Sequence, residues 1–386
     1  MASLRPQAGT HDASKAVSRR EAWHAVGALT TAILVPSAVG CGNNQASTRA
    51  PSTPKTGAKP EAATLVQGSP PEAAGVAAQP IPTADKFGAL LPQRMLGPNG
   101  PAVTMLGVGG AHVLDVGESM GQQVIEAAIE HGIRFFDTAA MYGDGASEKR
   151  YGQFLVPKYR EVSFIMSKAH ARNAQGVQAM LENTLRNLNT DYLDLWQMHD
   201  LTSEEDVENR LRDGVVDYFA KAQAEGKVRH IGFTGHTTYK AHLRMLTLLK
   251  ERGIQATSAQ MPINVVDPHY ESFALNVVPR CVENNVGVLA MKTLAYGRIL
   301  GKAVGWARKD VAFNKIVPEA LPLEDALGFV WSLPTSVVIS GMQSPEEVAQ
   351  NARIARSANA WTPEERQQRV DAVKGFSGPS VEFYKA

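Results

Sequence analysis

The stretch FDTAAMYGDGASEKRYGQFL, residues 136–155, decides how the fold is interpreted. Its apolar start ends at the carboxylate of Asp137, Tyr142 follows in a glycine-rich loop, and a segment of helical character comes next. A buried strand, a polar loop and a helix in this order are typical of one unit of a parallel α/β sheet. The Asp and Tyr then form either a polar turn or part of an active site.

The same unit repeats along the chain from Val103 onward. Apolar runs alternate with polar loops and with segments whose apolar residues recur at the three- and four-residue spacing of a helix. The runs are VTMLGVG (103–109), IRFFDTA (133–139), VSFIMSK (162–168), YLDLWQMH (192–199), VRHIGFTG (228–235), ATSAQMPIN (256–264), VGVLAMKT (286–293) and SVVISGM (336–342). Eight such units predict a closed (β/α)8 TIM barrel of the α/β class.

Two further segments extend this prediction beyond the eight units. RMLGPNGPAVTMLG (94–107) predicts an N-terminal hairpin around a Pro-Asn-Gly turn, which would plug the N-terminal end of the barrel. TPEERQQRVDAVKGF (362–376) predicts a final C-terminal helix, with acidic residues at its start and Lys374 near its end.

An open, doubly wound sheet is the alternative architecture. It would require a dinucleotide-binding fingerprint after the first strand, but GVGGAH (107–112) places His112 where the third glycine belongs. A phosphate-binding loop with Gly-Lys-Ser/Thr does not occur in the sequence either. The barrel is therefore the favoured interpretation.

The composition excludes several classes of function. The chain has 386 residues, of which 44% are hydrophobic and 20% charged, as in ordinary globular proteins. Its 39 basic and 38 acidic residues give a net charge of +1, which offers no argument for a nucleic-acid partner. Two cysteines, Cys41 and Cys281, are too few for a thiolate metal site or an iron–sulfur cluster. We therefore expect no metal site.

Residues 1–41 predict an export signal. Arg19-Arg20 precedes a modestly apolar stretch, residues 25–39, in the manner of a twin-arginine signal, which exports folded proteins. Ala38-Val39-Gly40-Cys41 resembles a bacterial lipobox, which would make Cys41 a site of lipidation and of membrane attachment. A plain cleaved signal and a disordered cytosolic extension stay open as alternatives. The expected location is the periplasm or the outer surface of a bacterium.

Residues 42–86 have the composition of a disordered linker. They are rich in Pro, Ala, Thr, Ser and Gly and lack periodic apolar residues, so they cannot bury enough surface to offset chain entropy. The barrel domain is accordingly predicted over residues 87–386. The sequence leaves the oligomeric state open.

Ionisable residues stand at the ends of three consecutive predicted strands. Asp137, Lys168 and His199 follow strands two, three and four, and Tyr142 lies in the adjoining loop. Taken singly, each has an ordinary structural explanation, such as a turn cap or a rim aromatic. In a TIM barrel, however, the C-terminal ends of the strands meet at one face, so these side chains are expected to converge.

The expected cluster has a definite chemistry. An ammonium about 5 Å from a phenol would favour the phenolate by about 3 kcal/mol at an effective dielectric near 20, which lowers the phenol pKa by about 2 units. Asp137 would keep Lys168 protonated, and a neutral His199 would donate a hydrogen bond to a carbonyl oxygen. The four residues therefore predict protonation of a carbonyl, or the reverse reaction, with Tyr142 as the proton donor.

From about Arg94 to about Ala358 the sequence resembles the aldo-keto reductase superfamily. The resemblance is carried by Phe136-Asp137-Thr138-Ala139, Tyr142-Gly143, Ser147-Glu148, Ser167-Lys168 and Met198-His199. It implies hydride transfer between a nicotinamide cofactor, NADP or NAD, and an aldehyde, ketone or sugar carbonyl. Tyr142 would be the general acid, Lys168 and Asp137 would tune it, and His199 would orient the substrate. The alternative is a regulatory barrel that binds the cofactor without catalysis.

The resemblance also implies a cofactor site. Its predicted members are Thr234, Gln260, Asn264, Met291, Lys292, Leu294, Gly297, Arg298, Gly341, Ser344, Glu347 and Asn351. Gln260 would bind the nicotinamide carboxamide, whereas Met291 stands where an aromatic ring usually stacks on nicotinamide, and Gly235 replaces an asparagine. Glu347 stands where family members that prefer NADP usually have an arginine, and its carboxylate would repel a 2′-phosphate, so the choice between NADP and NAD stays open.

Substrate choice is expected to depend on two loops after the strands. These are HDLTSEEDVENR (199–210) after strand four and GRILGKAVGWARKDVAFNKIVPEALP (297–322) after strand seven. Free nicotinamide cofactors are scarce outside the cytoplasm. An exported enzyme is therefore expected to hold its cofactor tightly and to recycle it with a sugar or a similar hydroxy-carbonyl pair.

Overall fold

The computed structural model describes Leu65 and residues 80–300, 321–359 and 361–385. The predicted signal (1–41), its possible lipidation site Cys41 and most of the predicted linker lie outside these residues. So does most of the predicted substrate loop after strand seven.

Two short antiparallel hairpins precede the barrel. They are β1 (Ala84–Asp85) with β2 (Gly88–Ala89), and β3 (Gln93–Met95) with β4 (Ala102–Thr104). The first hairpin begins just ahead of Phe87 and is held by an ion pair of 2.6 Å between Arg134 Nε and Asp85 Oδ2. The second is the predicted hairpin around Pro-Asn-Gly, which confirms that part of the sequence analysis.

Eight parallel strands within the described residues close into a barrel. They are β5 (Leu106–Gly109), β6 (Phe135–Asp137), β7 (Phe164–Ala169), β8 (Leu193–Met198), β9 (Val228–Thr234), β10 (Ser258–Pro262), β11 (Gly287–Met291) and β12 (Val337–Ser340). Each strand pairs with the next in the chain, and β12 pairs with β5 to complete the circle. The predicted TIM barrel is confirmed, and the doubly wound sheet is excluded because that sheet would stay open.

Helices follow each barrel strand and surround the barrel. They are α1 (Gly110–Asp115), α2 (Glu118–Glu130), α3 (Ala146–Phe154), α4 (Val156–Tyr159), α5 (Ala174–Leu188), α6 (Glu204–Arg212), α7 (Val215–Ala224), α8 (Tyr239–Glu251), α9 (Phe273–Asn276), α10 (Val278–Glu283), α11 (Leu323–Trp331), α12 (Pro345–Arg356) and α13 (Pro363–Ala372). Short 3₁₀ turns cover Asp267–His269, Ala295–Leu300, Lys374–Phe376 and Phe383–Lys385. In the described part of the chain, no helix combines the length and apolarity needed to cross a membrane.

The interpretation of residues 199–210 as a loop is wrong for most of its length. Helix α6 begins at Glu204, and the hydroxyl of Ser203 caps it by accepting a hydrogen bond of 3.0 Å from the Asp206 amide. Acidic residues in the first turn complement the helix dipole, so the acidic sequence that suggested a polar loop in fact favours a helix start. Only residues 199–203 remain as a connection between β8 and the helix.

The barrel interior is packed at its N-terminal end. Leu96 and Val103, from the hairpin of β3 and β4, join Phe135, Met166 and Leu195 of the barrel strands in one buried apolar cluster. Burying a side chain of this size stabilises the fold by about 1.5–3 kcal/mol. The hairpin thus closes the N-terminal end, as predicted, and leaves the C-terminal strand ends as the open face.

Candidate active site

Strand register brings Asp137 and Lys168 to the open end of the barrel. Asp137 is the last residue of β6 and pairs with Met166 of β7, two residues before Lys168. Side chains two residues apart in a strand share a face, so Lys168 points inward like Met166, which belongs to the interior cluster. Both ionisable side chains are buried.

Three oxygen atoms surround the ammonium of Lys168. It donates to the carboxylate of Asp137, to the backbone oxygen of Thr138 at 2.8 Å and to the hydroxyl of Tyr142 at 3.2 Å. An ammonium has three protons, so these partners satisfy it completely. The lysine is therefore fixed between the carboxylate that balances its charge and the phenol that it faces.

The loop after β6 turns sharply to bring Tyr142 back over the strand ends. Gly143, Asp144 and Gly145 have φ of +59°, +51° and +82°, in the left-handed region that glycine tolerates and aspartate sometimes adopts. The backbone amide of Tyr142 donates to the backbone oxygen of Ala139 at 3.0 Å. The backbone oxygen of Tyr142 accepts from the backbone amide of Ser147 at 3.2 Å. The glycine-rich loop is thus a hydrogen-bonded turn that positions the phenol.

His199 completes the group from the next strand. It follows β8 directly, and its amide donates to the Ala169 oxygen at 2.8 Å. Its ring lies edge-to-face against the ring of Tyr142, with centroids 6.0 Å apart and an interplanar angle of 81°. The structure thus brings together all four side chains that the sequence predicts as catalytic.

Burial sets the protonation states of these groups. It raises the pKa of Tyr142 well above the usual 10, and the carboxylate of Asp137 adds to the rise. The expected lowering of the Tyr142 pKa by Lys168 is therefore wrong. Removing the phenolate from water destabilises it by more than the nearby ammonium stabilises it. Burial, followed by the charge of Lys168, lowers the pKa of His199 well below 6.5. Phenol and imidazole are therefore both neutral at neutral pH.

Gln260 offers an unpartnered acceptor beside these residues. It lies on β10 in register with Thr234, the last residue of β9, and its amide nitrogen is 3.7 Å from the sulfur of Met291 at the end of β11. Its carbonyl oxygen is buried and finds no hydrogen-bond donor among the described residues. Buried polar atoms in proteins are rarely left unpaired. An acceptor here fits a primary amide such as that of nicotinamide.

The departure from the family pattern at Gly235 has a steric reason. A Cβ atom at this position would lie 2.5 Å from the backbone oxygen of Leu201 and 3.2 Å from a carbon of the His242 ring. An asparagine cannot be accommodated without moving the segment after β8. A nicotinamide carboxamide at this site would therefore have Thr234 and Gln260 as its predicted partners.

Two predicted cofactor ligands bind the chain's own C-terminal segment, residues 377–385. The Asn264 amide donates to the Glu382 carboxylate at 3.0 Å and to the Tyr384 hydroxyl at 2.9 Å, and its oxygen accepts from two backbone amides. Arg298 donates to the Ser380 oxygen, and its guanidinium lies 4.6 Å from the centre of the Phe383 ring. Contact of either side chain with a cofactor would require this segment to move.

The rest of the loop after β11 stays near the open end. Lys292 has a left-handed φ of +55°, and its ammonium donates to the Tyr296 hydroxyl at 3.1 Å. Its positive charge is one of the smaller causes that lower the pKa values of His112, Lys168 and His199. Leu294 packs against the core, and Gly297 takes a φ of +82° that bends the chain.

The predicted adenosine side is built around the start of α12. Ser344 caps this helix by accepting from the Glu347 amide at 3.3 Å, and the Glu347 carboxylate accepts from the Gln343 amide at 2.8 Å. Asn351 is buried. Its side-chain oxygen accepts from the Ser340 hydroxyl at 3.0 Å, and its side-chain nitrogen donates to the backbone oxygen of Glu347 at 2.8 Å. Asn351 therefore supports the helix start, while Glu347 stays exposed beside the place predicted for the adenosine phosphate.

Gly341 is required by the ring of His112. A Cβ atom on Gly341 would lie 2.4 Å from ring atoms of His112, so only glycine fits. His112, which in the sequence only argued against a dinucleotide fingerprint, thus lies between the first and last strand ends. Residues 382–385 (EFYK) also contribute to this region, although nothing in their composition indicates contact with residues more than 100 positions away.

Comparison with known proteins identifies the family. The model of the Aldo/keto reductase family matches residues 105–365. The methylglyoxal reductase YeaE of Escherichia coli (strain K12) is 40% identical over 208 residues, covering 52% of this chain and 68% of that protein. The D-threo-aldose 1-dehydrogenase of a Pseudomonas species is 27% identical over 311 residues, covering 66% and 90%.

The fold agrees with that assignment. The holo form of the aldo-keto reductase AKR11C1 from Bacillus halodurans matches with a TM-score of 0.62 at 21% identity, over 76% of this chain and 99% of that one. The family match includes the four residues at the open end of the barrel. The chain therefore belongs to the aldo/keto reductase family and is an NAD(P)-dependent oxidoreductase that transfers hydride between its cofactor and an aldehyde, ketone or sugar carbonyl.

Proposed function

We propose that this enzyme reduces a small aldehyde, or oxidises the matching alcohol, outside the cytoplasm with a tightly held nicotinamide cofactor. One observation carries the catalytic part: Lys168, enclosed by Asp137, holds the phenol of Tyr142 at 3.2 Å with His199 beside it. The printed activities of two relatives, a methylglyoxal reductase and an aldose dehydrogenase, support a 2-oxoaldehyde or an aldose as the substrate class.

The four residues divide the work on the carbonyl. Tyr142, kept neutral by its burial, donates its proton to the carbonyl oxygen in the reducing direction. The neutral imidazole of His199 donates a hydrogen bond to the same oxygen and fixes its position. Lys168 stabilises the phenolate that remains, and Asp137 balances the charge of the lysine in this dry site.

The residues of the cofactor side fit a nicotinamide group at one end. Thr234 and the unpartnered oxygen of Gln260 would hold the carboxamide, and Lys292 would face the pyrophosphate. When bound, the cofactor supplies the hydride that the carbonyl carbon accepts. Glu347 favours NAD over NADP, because its exposed carboxylate would repel a 2′-phosphate.

Export and retention form the second half of the proposal. Arg19-Arg20 and the apolar stretch after it support export in the folded state, so the cofactor would leave the cytoplasm already bound. Lipidation at Cys41 would then keep the enzyme at a membrane surface. The contacts of the C-terminal segment with Asn264 and Arg298 support slow exchange, because they would have to break before those side chains could reach a cofactor.

The test begins with the nucleotide carried by the purified protein. Mass spectrometry of the supernatant after denaturation should show about one NAD or NADP per chain. Methylglyoxal and a panel of aldoses are then assayed with both reduced cofactors, and Tyr142→Phe should lower turnover at least 100-fold while nucleotide binding is kept. An unchanged rate in Tyr142→Phe would leave the non-catalytic barrel as the better description. A protein free of nucleotide with millimolar affinity would refute retention.

A further inference from the structure

The guanidinium of Arg210 lies against the backbone of His199. Arg210 is on α6 and is completely buried. One of its terminal nitrogens, Nη2, donates to the backbone oxygens of His199 at 2.8 Å and of Asp200 at 2.9 Å. Its Nε donates to the carboxylate of Asp206 one helical turn earlier, at 3.1 Å. A buried charge therefore connects the helix to the residue predicted to orient the substrate.

Within the described residues, no side chain forms a hydrogen bond with the buried Nδ1 of His199. A catalytic histidine usually has a partner at its second nitrogen that fixes both tautomer and ring orientation. The ring is therefore positioned by its edge-to-face contact with Tyr142 and by two hydrogen bonds of its backbone, one donated by its amide to the Ala169 oxygen and one accepted by its carbonyl from Arg210.

The backbone at this point also adopts a conformation that needs support. Asp200 has a φ of +61°, in the left-handed region, which costs a residue other than glycine about 1 kcal/mol. Beyond it, the Leu201 amide donates to the Thr234 oxygen at 3.0 Å. Arg210 binds the two carbonyls on either side of the turn and so holds the strained step in place.

Stability alone is a poor explanation for an arginine at this position. Burial lowers the pKa of Arg210, which reflects the cost of removing its charge from water, and its Nη1 has no partner among the described residues. Well-packed apolar residues often replace buried ion pairs with no loss of stability. The arrangement therefore contributes something that an apolar residue cannot, namely two hydrogen bonds aimed at one short piece of backbone.

We propose that Arg210 is a positioning residue that holds the imidazole of His199 toward the substrate carbonyl by fixing the backbone of residues 199 and 200. This inference rests on the proposed function of His199 as a donor to that carbonyl. Arg210 lies on α6, the helix that follows β8, and outside the open end of the barrel. It would nevertheless affect kcat.

Two substitutions separate positioning from stability. Arg210→Met removes all the contacts, whereas Arg210→Lys keeps a positive charge for Asp206 but lacks the planar fork that reaches two carbonyls together with the carboxylate. Arg210→Met should lower kcat for methylglyoxal 10- to 100-fold. Arg210→Lys should keep the Tm close to that of the wild type and still lower kcat at least fivefold.

Arg244→Met is the matched control for these variants. Arg244 lies on α8 and pairs with Glu208 of the same helix α6 at 2.9 Å, at a partly exposed site. Its replacement removes an ion pair to α6 and leaves the turn after His199 unchanged. We expect kcat within twofold of the wild type.

A double variant and the NMR signals of the His199 ring test whether Arg210 affects kcat through His199. In a His199→Ala background, Arg210→Met should lower kcat no further, and the ring NMR signals of His199 should shift in Arg210→Lys. Losses that multiply, ring signals that stay in place, or full recovery of kcat with Arg210→Lys would each overturn the proposal. If the wild type reduces no carbonyl, the proposed function fails, and the ring signals alone still decide the positioning role.

Discussion

Lys168 holds a charge that only its immediate neighbours compensate. It is buried with Asp137, and both belong to regular strands, so neither can move far without distorting the barrel. Removing one partner of such a pair leaves an uncompensated buried charge, which typically costs 3–5 kcal/mol. The proposed catalytic group is thus also a site where substitution endangers the fold.

Lys168→Met should lower kcat by about 100-fold or more, because the phenolate of Tyr142 loses the ammonium that stabilises it. It should also lower the Tm, because Asp137 is left unpaired. The double variant Asp137→Asn with Lys168→Met is the control: it should recover most of the Tm and none of the activity. Steady-state kinetics and thermal melts on the three proteins measure this, and activity that returns with the Tm would contradict the role of Lys168.

The identities of the four residues at the open end were predictable, whereas their protonation was not. Asp137, Lys168 and His199 each end an apolar run, and the count of runs indicated that these ends meet. The sequence carries no measure of how much water each group loses. For Tyr142 that loss reverses the expected direction of the pKa change.

Helix α12 carries the feature that bears most directly on cofactor choice. The exposed carboxylate of Glu347 closes the helix start by accepting from the Gln343 amide, so it has a structural role beside its electrostatic one. Its charge stands where the resemblance places the adenosine phosphate. Glu347 is therefore the residue of α12 that we expect to affect the preference between NAD and NADP.

Glu347→Arg should improve the affinity for NADP relative to NAD about tenfold, because a repelling carboxylate becomes a partner for the 2′-phosphate. The loss of the cap is expected to cost about 1 kcal/mol of stability. Glu346→Arg makes the same charge change at the neighbouring exposed position and serves as the control. Titration with both dinucleotides measures the ratio, and an equal shift in the two variants would point to net charge instead.

The C-terminal segment is anchored by a buried lysine. Lys385 pairs with Asp267 at 2.6 Å and with Glu382 at 2.9 Å, and all three side chains are fully enclosed. Lys385→Met should lower the free energy of unfolding by about 3–5 kcal/mol, because it leaves two carboxylates without their cation. Lys374→Met, at an exposed position near the segment, should change it by less than about 0.5 kcal/mol. Urea unfolding of both variants provides the comparison, and equal midpoints would rule out the anchor.

Glu382 should make stability depend on pH. Burial, reinforced by the charge of Asp267, raises the pKa of Glu382 from 4.5 to about 7. Between these values the folded protein holds a proton that the unfolded chain has released, so this group makes stability fall as pH rises from about 5 to about 7. Glu382→Gln should flatten that part of the profile. Urea midpoints at pH 5 and pH 8 measure the slope, which must differ between variant and wild type for the assignment to hold.

Helices and strands are easier to predict from the sequence than the contacts of the C-terminal segment. Helix α5 (Ala174–Leu188) is readable from local sequence, because its apolar residues repeat at the helical period and Asn173 caps its start. The packing of Tyr384 and Lys385 depends on Asn264 and Asp267, which no local pattern connects to them. The loop interpretation of residues 199–210 has a different cause, because Ser203 and the acidic residues after it form a helix start that is readable in the local sequence.

At the scale of the whole molecule, the architecture followed from repetition. Eight units, a plugging hairpin and a final helix were each visible as local patterns, and the barrel is the arrangement that buries all of their apolar faces. The signal and the lipidation at Cys41 fall on residues outside the described ranges and stay predictions.

Replacing Arg19-Arg20 with two lysines should leave the protein in the cytoplasm, because the twin-arginine route recognises that pair. Cell fractionation with an antibody against the barrel measures the distribution, and the fold should be unaffected. Cys41→Ser should release the exported protein from membranes into the soluble periplasmic fraction. Unchanged fractionation of both variants would favour a cytosolic extension.

The bonds from Asn264 to Glu382 and Tyr384 span 118 and 120 positions of the chain, which has consequences for the order of events during synthesis. At about 5–20 residues per second, on the order of ten seconds pass between translation of the two partners. In the last part of that interval, after β12 (Val337–Ser340) has been made, every strand of the barrel exists while the C-terminal segment that contacts Asn264 and Arg298 does not. A nucleotide that enters during this time would reach Asn264 before the C-terminal segment has bound it.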